Sequence, residues 1–137
     1  MKMGGFGMIA WKEEYRIGVE AIDEQHKKLF EIANRAYDLL KNELLLDKYD
    51  QIVAIFDELK DYTEYHFSCE QKYMASIGYK KMLSHKVVHD DFIDKIKGID
   101  LEKVDDDQDQ YLMDLLNFVV QWIEQHILGM DKKIVEG

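Results

Sequence analysis

Apolar side chains recur every three or four residues in four separate stretches of this chain, the period of an amphipathic helix. In the first, Leu29, Phe30, Ala33, Ala36, Tyr37 and Leu40 share a face. Asp23 is placed to cap its start, and the spacing predicts a helix over about 24–42. In the second, Ile52, Ile55, Phe56, Leu59, Tyr62, Thr63, His66, Glu70, Tyr73 and Met74 follow one face. That helix runs over about 48–76, opened by Asp47 and closed by Gly78. The third, about 80–97, turns Leu83, Val87, Val88, Phe92, Ile93 and Ile96 inward and stops at Gly98. The fourth, about 107–128, follows the acidic run Asp105-Asp106-Asp107. It carries Tyr111, Leu112, Leu115, Leu116, Phe118, Val119, Trp122, Ile123 and Ile127. Residues 1–19 read as an irregular lead-in, from which Trp11, Tyr15 and Ile17 cover the outside of the helices. Connections of about 3–10 residues make successive helices antiparallel neighbours. The expected fold is therefore all-α, an up-down-up-down antiparallel four-helix bundle forming one domain over 1–137.

Composition agrees. The chain has no proline, which long helices exclude from their interiors. Of its 137 residues 47% are hydrophobic, enough for one core. The net charge of −10 repels phosphate backbones and anionic lipid, so neither nucleic acid nor membrane is an expected partner. The single cysteine, Cys69, excludes an internal disulfide and a cysteine-based zinc site. With no apolar run of membrane-spanning length and no signal peptide, the expected location is the cytoplasm, as a monomer.

The chemistry lies in the histidines. His26, His66, His85, His89 and His126 each fall on the apolar face of an expected helix or at its edge, and every helix supplies at least one. His66 and Glu70 are four apart, as are His85 and His89, so each pair projects from one helix face. His126 and Asp131 are five apart, about 140° out of register on an ideal α-helix. For both to point inward the helix must bulge or unwind, and Gly129 in the gap permits it. Five imidazoles and two carboxylates without metal would cost several kcal/mol in desolvation. Two close metals need bridging anions, which Glu70 and Asp131 can supply. Five nitrogens, two bridging carboxylates and one bridging oxygen make eleven metal–ligand bonds, and two six-coordinate metals need twelve. One position stays open for a small diatomic ligand. Imidazole and carboxylate without thiolate suit Fe, Zn, Cu or Mn. The Glu-x-x-His pairs of carboxylate-rich di-iron bundles are absent, which favours binding oxygen over activating it. Cys69 falls off the His66–Glu70 face and is not an expected ligand.

The chain resembles the hemerythrin and myohemerythrin family of oxygen-binding di-iron bundles. The resemblance rests on Ile22-Asp23-Glu24-Gln25-His26, His66-Phe67-Ser68-Cys69-Glu70 with Tyr73-Met74, and His85-Lys86-Val87-Val88-His89 with Phe92. It continues through Trp122-Ile123-Glu124-Gln125-His126-Ile127 with Asp131, and covers nearly the whole chain from Trp11. It implies two iron ions, cycling between Fe2+ and Fe3+, with a bridging oxo or hydroxo group. It further implies that His85, His89 and His126 hold the coordinatively full iron, that His26 and His66 hold the iron with a vacant site, and that Glu70 and Asp131 bridge them. Dioxygen would bind reversibly at the vacant iron with no side chain acting as a catalyst. Phe67, Trp122, Ile123 and Ile127 fall where they would line the family's apolar oxygen pocket. Ile123 and Lys80 stand where relatives more often have leucine and proline. The role implied is oxygen storage, delivery or scavenging, with an oxygen-consuming enzyme or a reductase as a possible partner. The alternatives are a di-iron redox enzyme acting on peroxide or nitric oxide, and an oxygen or redox sensor.

Overall fold

The computed structural model describes residues 10–41, 49–98 and 108–136. The expected cap at Asp47, the acidic run at Asp105–Asp107 and the lead-in before residue 10 lie outside the described residues. Four long helices make up most of the rest: α1 (Glu20–Lys41), α2 (Tyr49–Ser76), α3 (Met82–Lys97) and α4 (Gln108–His126). A π-helical turn at Ile127–Asp131 follows α4 and leads into a short α5 (Lys132–Glu136). A 3₁₀ turn at Glu13–Tyr15 precedes α1. The fold is an all-α four-helix bundle, in which α1 packs on α2 and α4, and α2 on α3.

Two apolar layers hold the helices together. One surrounds Leu29, Phe30, Leu59, Phe67, Phe92, Val119, Ile123 and Ile127. The other, toward the far end, joins Ala33, Ala36, Tyr37, Leu40, Ile52, Leu112, Leu116 and Val120. Each buried aliphatic or phenyl group contributes about 1.5–3 kcal/mol relative to exposure. Tyr37 and Tyr15 keep their hydroxyls satisfied inside this packing. Tyr37 donates to Asn117 Oδ1, and Tyr15 donates to Glu124 Oε2. Trp11 meets Phe30 at a tilt and Tyr15 meets it edge-on, at 6.0 and 5.2 Å, and with the Tyr15 bond to Glu124 these residues of the lead-in lie against α1 and α4.

Three expectations are corrected. α1 starts at Glu20, one turn early, and Asp23 does not cap it. Instead the buried Asp23 carboxylate accepts the Ile17 and Gly18 amides, at 2.8 and 3.1 Å, and folds the lead-in back onto the helix. Gly18 makes the bend at φ +96°, a conformation that favours glycine. On α3, Leu83 and Val87 are 72% and 60% exposed rather than inward, because the inward stripe there runs through His85, His89, Phe92 and Ile93. On α4, Tyr111 and Phe118 are also exposed. Gly78 does close α2, at φ +66°, with the Tyr79 amide donating back to the Met74 carbonyl at 2.9 Å.

Candidate metal centre

The histidines meet because the helices alternate in direction. His26 lies near the start of α1, His66 toward the end of α2, His85 near the start of α3 and His126 at the end of α4. Only an up-down-up-down arrangement brings those four positions to one level. His89, Glu70 and Asp131 join them, and all seven side chains are buried, Glu70 and Asp131 completely. Asp131 arrives through the π-helical turn, in which the Lys132 amide donates to the Ile127 carbonyl five residues back. That extra residue per turn brings Asp131 over His126, as the five-residue spacing requires.

The seven side chains fall into two overlapping groups that share Glu70 and Asp131. In one, His85 Nε2 lies 3.0 Å from Asp131 Oδ1 and 3.4 Å from Glu70 Oε1. His89 Nε2 lies 3.1 Å from Glu70 Oε1, and His126 Nε2 lies 3.1 Å from Asp131 Oδ1. In the other, His26 Nε2 lies 3.1 Å from Asp131 Oδ2 and 3.9 Å from Glu70 Oε2, while His66 Nε2 lies 3.8 Å from Glu70 Oε2. Each carboxylate therefore turns one oxygen to the three-histidine group and its other oxygen to the two-histidine group. Glu70 Oε1 meets His85 and His89 and its Oε2 meets His26 and His66, while Asp131 Oδ1 meets His85 and His126 and its Oδ2 meets His26.

These contacts are those of cation ligands rather than of a hydrogen-bonded network. The Nε2 atoms of His85 and His89 each sit 3.0 Å from His126 Nε2. Imidazole nitrogens gathered so closely repel unless a proton or a cation lies among them. Donors about 2.1 Å from an octahedral ion lie about 3.0 Å apart at adjacent corners, which is the spacing seen. Both oxygens of Glu70, Asp131 Oδ2 and both nitrogens of His26 are buried without a hydrogen-bond partner. Such orphans are rare in native proteins, and an ion between them would satisfy them. The donor set fits two metal ions bridged by two carboxylates.

Neighbouring groups orient individual rings. His66 Nδ1–H donates to the buried Gln25 Oε1 at 2.7 Å, which turns the Nε2 lone pair toward the carboxylates. His89 Nδ1–H donates to Gln71 Oε1 at 3.3 Å. The Phe67 ring lies flat on His89, 3.7 Å away and 3° from parallel, and Trp122 stacks on His126 at 4.6 Å. Burial pushes His66 down to about 4 and also lowers His89. For His85, burial opposes protonation, but Asp131 and Glu70 outweigh it and raise the ring to about 9. Burial and mutual repulsion oppose ionisation of Glu70, yet His85, His89 and His66 hold it below its usual range. Burial likewise opposes ionisation of Asp131, and His126, His26 and His85 hold it well below the carboxylate range.

Beside the two-histidine group lies a cavity of about 10 Å³ with an apolar surface. Phe67, Trp122, Ile123 and Ile127 all line it, joined by Leu29, with His26, His66, His126 and Asp131 on the metal side. Leu29 is expected as core and Gln25 only as part of the motif around His26, while Gln71 carries no expectation, so the sequence assigns none of the three to the site. Their spacing carries no signal, because the partners of the two glutamines lie 41 and 18 residues away. Cys69 is half-buried and belongs to neither ligand group.

Residues 17–136 match the family model of the hemerythrin HHE cation binding domain, and the chain belongs to that family. The family and the His/Glu/Asp cluster together indicate a binuclear non-heme iron site. Among relatives, a bacteriohemerythrin of Clostridium acetobutylicum is 51% identical over 94% of this chain and all of its own length. A bacteriohemerythrin of Pseudomonas aeruginosa is 28% identical over 94% of this chain and 80% of its own. A hemerythrin-like protein of Naegleria gruberi is 31% identical over 90% of this chain and 87% of its own.

Proposed function

We propose that the chain binds dioxygen reversibly at its di-iron centre, for oxygen storage, delivery or scavenging, and catalyses no net reaction. The apolar cavity on the two-histidine side carries this reading. At about 10 Å³ it holds about one water-sized molecule. His85, His89 and His126 would hold one iron, and His26 and His66 the other. Glu70 and Asp131 would bridge them beside an oxo or hydroxo group. When bound, two ferrous ions supply the electrons that dioxygen takes up on binding and returns on leaving.

The protein's part is to orient and to exclude. Gln25 fixes the His66 ring, and the Phe67 and Trp122 faces fix His89 and His126. Leu29, Ile123 and Ile127 keep water from the cavity. Apart from the ionised Asp131, no hydroxyl, ammonium or carboxyl group lines it, so its walls offer little to protonate a bound ligand. This favours a carrier over an enzyme acting on peroxide or nitric oxide, which needs a proton delivered. The single cysteine is in keeping with a reducing compartment, and we place the carrier in the cytoplasm, where it serves an oxygen-consuming enzyme.

The test is to load purified protein with ferrous iron under nitrogen, measure iron per chain and the visible spectrum, admit oxygen and then remove it. Two irons and a charge-transfer band that comes and goes are expected. Two irons that oxidise at once with no reversible band would move the assignment to an enzyme or redox sensor. Iron well below two per chain would overturn the di-iron reading.

A further inference from the structure

A second pocket, of about 220 Å³, lies behind His85 and shares no lining residue with the apolar cavity. Its chemistry runs against the rest of the chain. The protein carries −10 overall, yet no carboxylate lines this pocket and Lys81 and Lys133 both do. Among the described residues neither ammonium has an ion-pair partner. α3 begins here, with no acidic residue in its first turn and no side-chain cap from Lys81, so no side chain accepts from its first amides, although the Met82 amide reaches the Tyr79 carbonyl at 3.3 Å. Ser84 adds a hydroxyl. His85 is 1% exposed and reaches the pocket from the metal side. Its Nε2 is engaged with Asp131 and His126, while its Nδ1 has no protein partner among the described residues. His66 and His89 each have a glutamine at Nδ1, whereas His85 has a donor-lined pocket.

We propose that this pocket binds a small carboxylate with a short hydrocarbon tail, which supplies the missing acceptor for His85. The carboxylate accepts from the Lys81 and Lys133 ammoniums and from His85 Nδ1–H, at the positive end of α3. The tail lies against Tyr79 and Met130, which give the pocket its mainly apolar wall. An inorganic oxyanion would leave that wall uncovered. Bound there, the anion positions the His85 ring from behind as Gln25 positions His66.

The test is isothermal titration of the iron-loaded protein with sodium butyrate at fixed chloride, with the visible spectrum recorded in parallel. Saturable binding of one butyrate per chain is expected, with a small spectral shift. The K81E/K133E double variant should bind at least tenfold more weakly while keeping two irons per chain. K81Q/K133Q serves if the reversed charges disturb loading. No saturable heat overturns the proposal. Undiminished binding in both variants places the anion elsewhere and also overturns it. Inorganic phosphate binding as tightly as butyrate refutes the carboxylate class. None of these readouts involves oxygen, so failure here is distinct from failure of the carrier reading.

Discussion

Gln25→Leu tests whether ligand orientation, rather than ligand identity alone, sets metal affinity. Leucine occupies a similar volume but removes the acceptor 2.7 Å from His66 Nδ1. Gln25 is only 9% exposed, so water has little room to take its place. A buried donor left unpaired costs about 1–3 kcal/mol, and loss of such an outer partner weakens metal binding about ten- to hundredfold. The loss should fall on the position held by His26 and His66. The assay is competition for ferrous iron against a chelator series, scoring iron per chain at each concentration, with far-ultraviolet circular dichroism to confirm the fold. Gln25→Glu keeps the acceptor and should retain affinity. Gln71→Leu is the internal control: its contact to His89 is longer, 3.3 Å, and Gln71 is only partly buried, so water can substitute and a threefold loss at most is expected. A Gln25→Leu protein that binds iron within twofold of the parent would refute the reasoning. So would equal losses for Gln25→Leu and Gln71→Leu.

Ile123→Ala removes a buried wall of the cavity and should cost about 2–5 kcal/mol in denaturant unfolding. If the cavity protects the oxygenated centre, the band should also decay at least severalfold faster, and an unchanged rate would remove Ile123 from that role. Deleting Leu128 would leave His126 and Asp131 four apart, in register on an ordinary α-helix, so Asp131 should stay inward and iron per chain should remain near two. Inserting an alanine after Leu128 should instead swing Asp131 out of the site and abolish binuclear loading. Gly129→Ala should load normally, since Gly129 has an ordinary φ and open space around its Cβ position. In the metal-free protein His66 and His85 oppose each other with pH. His66 is depressed to about 4 from 6.5, so as pH falls below about 6.5 the unfolded chain takes up a proton that the folded chain refuses, and stability drops. His85 is raised to about 9, so its contribution is full below about 6.5 and is lost as pH rises toward 9. Urea unfolding across that range should peak near neutrality, and iron loading at pH 7 should release a proton, read with an indicator dye. Stability that rose steadily to pH 9 would contradict the His85 assignment.

The bundle and the seven clustered side chains were legible because both are written as spacings. Two i, i+4 pairs name their own helix faces. The five-residue step from His126 to Asp131 can point inward only if the helix gains a residue, and the π-helical turn is that gain. Glycine turns out not to be what allows it. What stayed illegible depends on contacts between distant segments. Asp23 carries every local mark of a helix cap, yet its carboxylate serves amides that precede it, since the chain turns back at Gly18. Leu83 and Val87 look like core by hydropathy alone, but the inward stripe of α3 is taken by His85 and His89. The amides that hold His66 and His89 could not be told from surface glutamines without the packing.

The division of each carboxylate between the two histidine groups makes occupancy of the two positions interdependent. A chain holding a single ion would keep the far oxygens of Glu70 and Asp131 buried and charged, beside the imidazoles of the other group but with no cation between them. Half-filled molecules are therefore the least favourable species on the loading path, and the arrival of one ion preorganises both bridging groups for the next. Uptake should follow a steep isotherm, with mostly empty and mostly full molecules coexisting at substoichiometric iron. Agents that strip one ion should strip both, so the centre behaves as a single cooperative unit rather than as two adjacent sites.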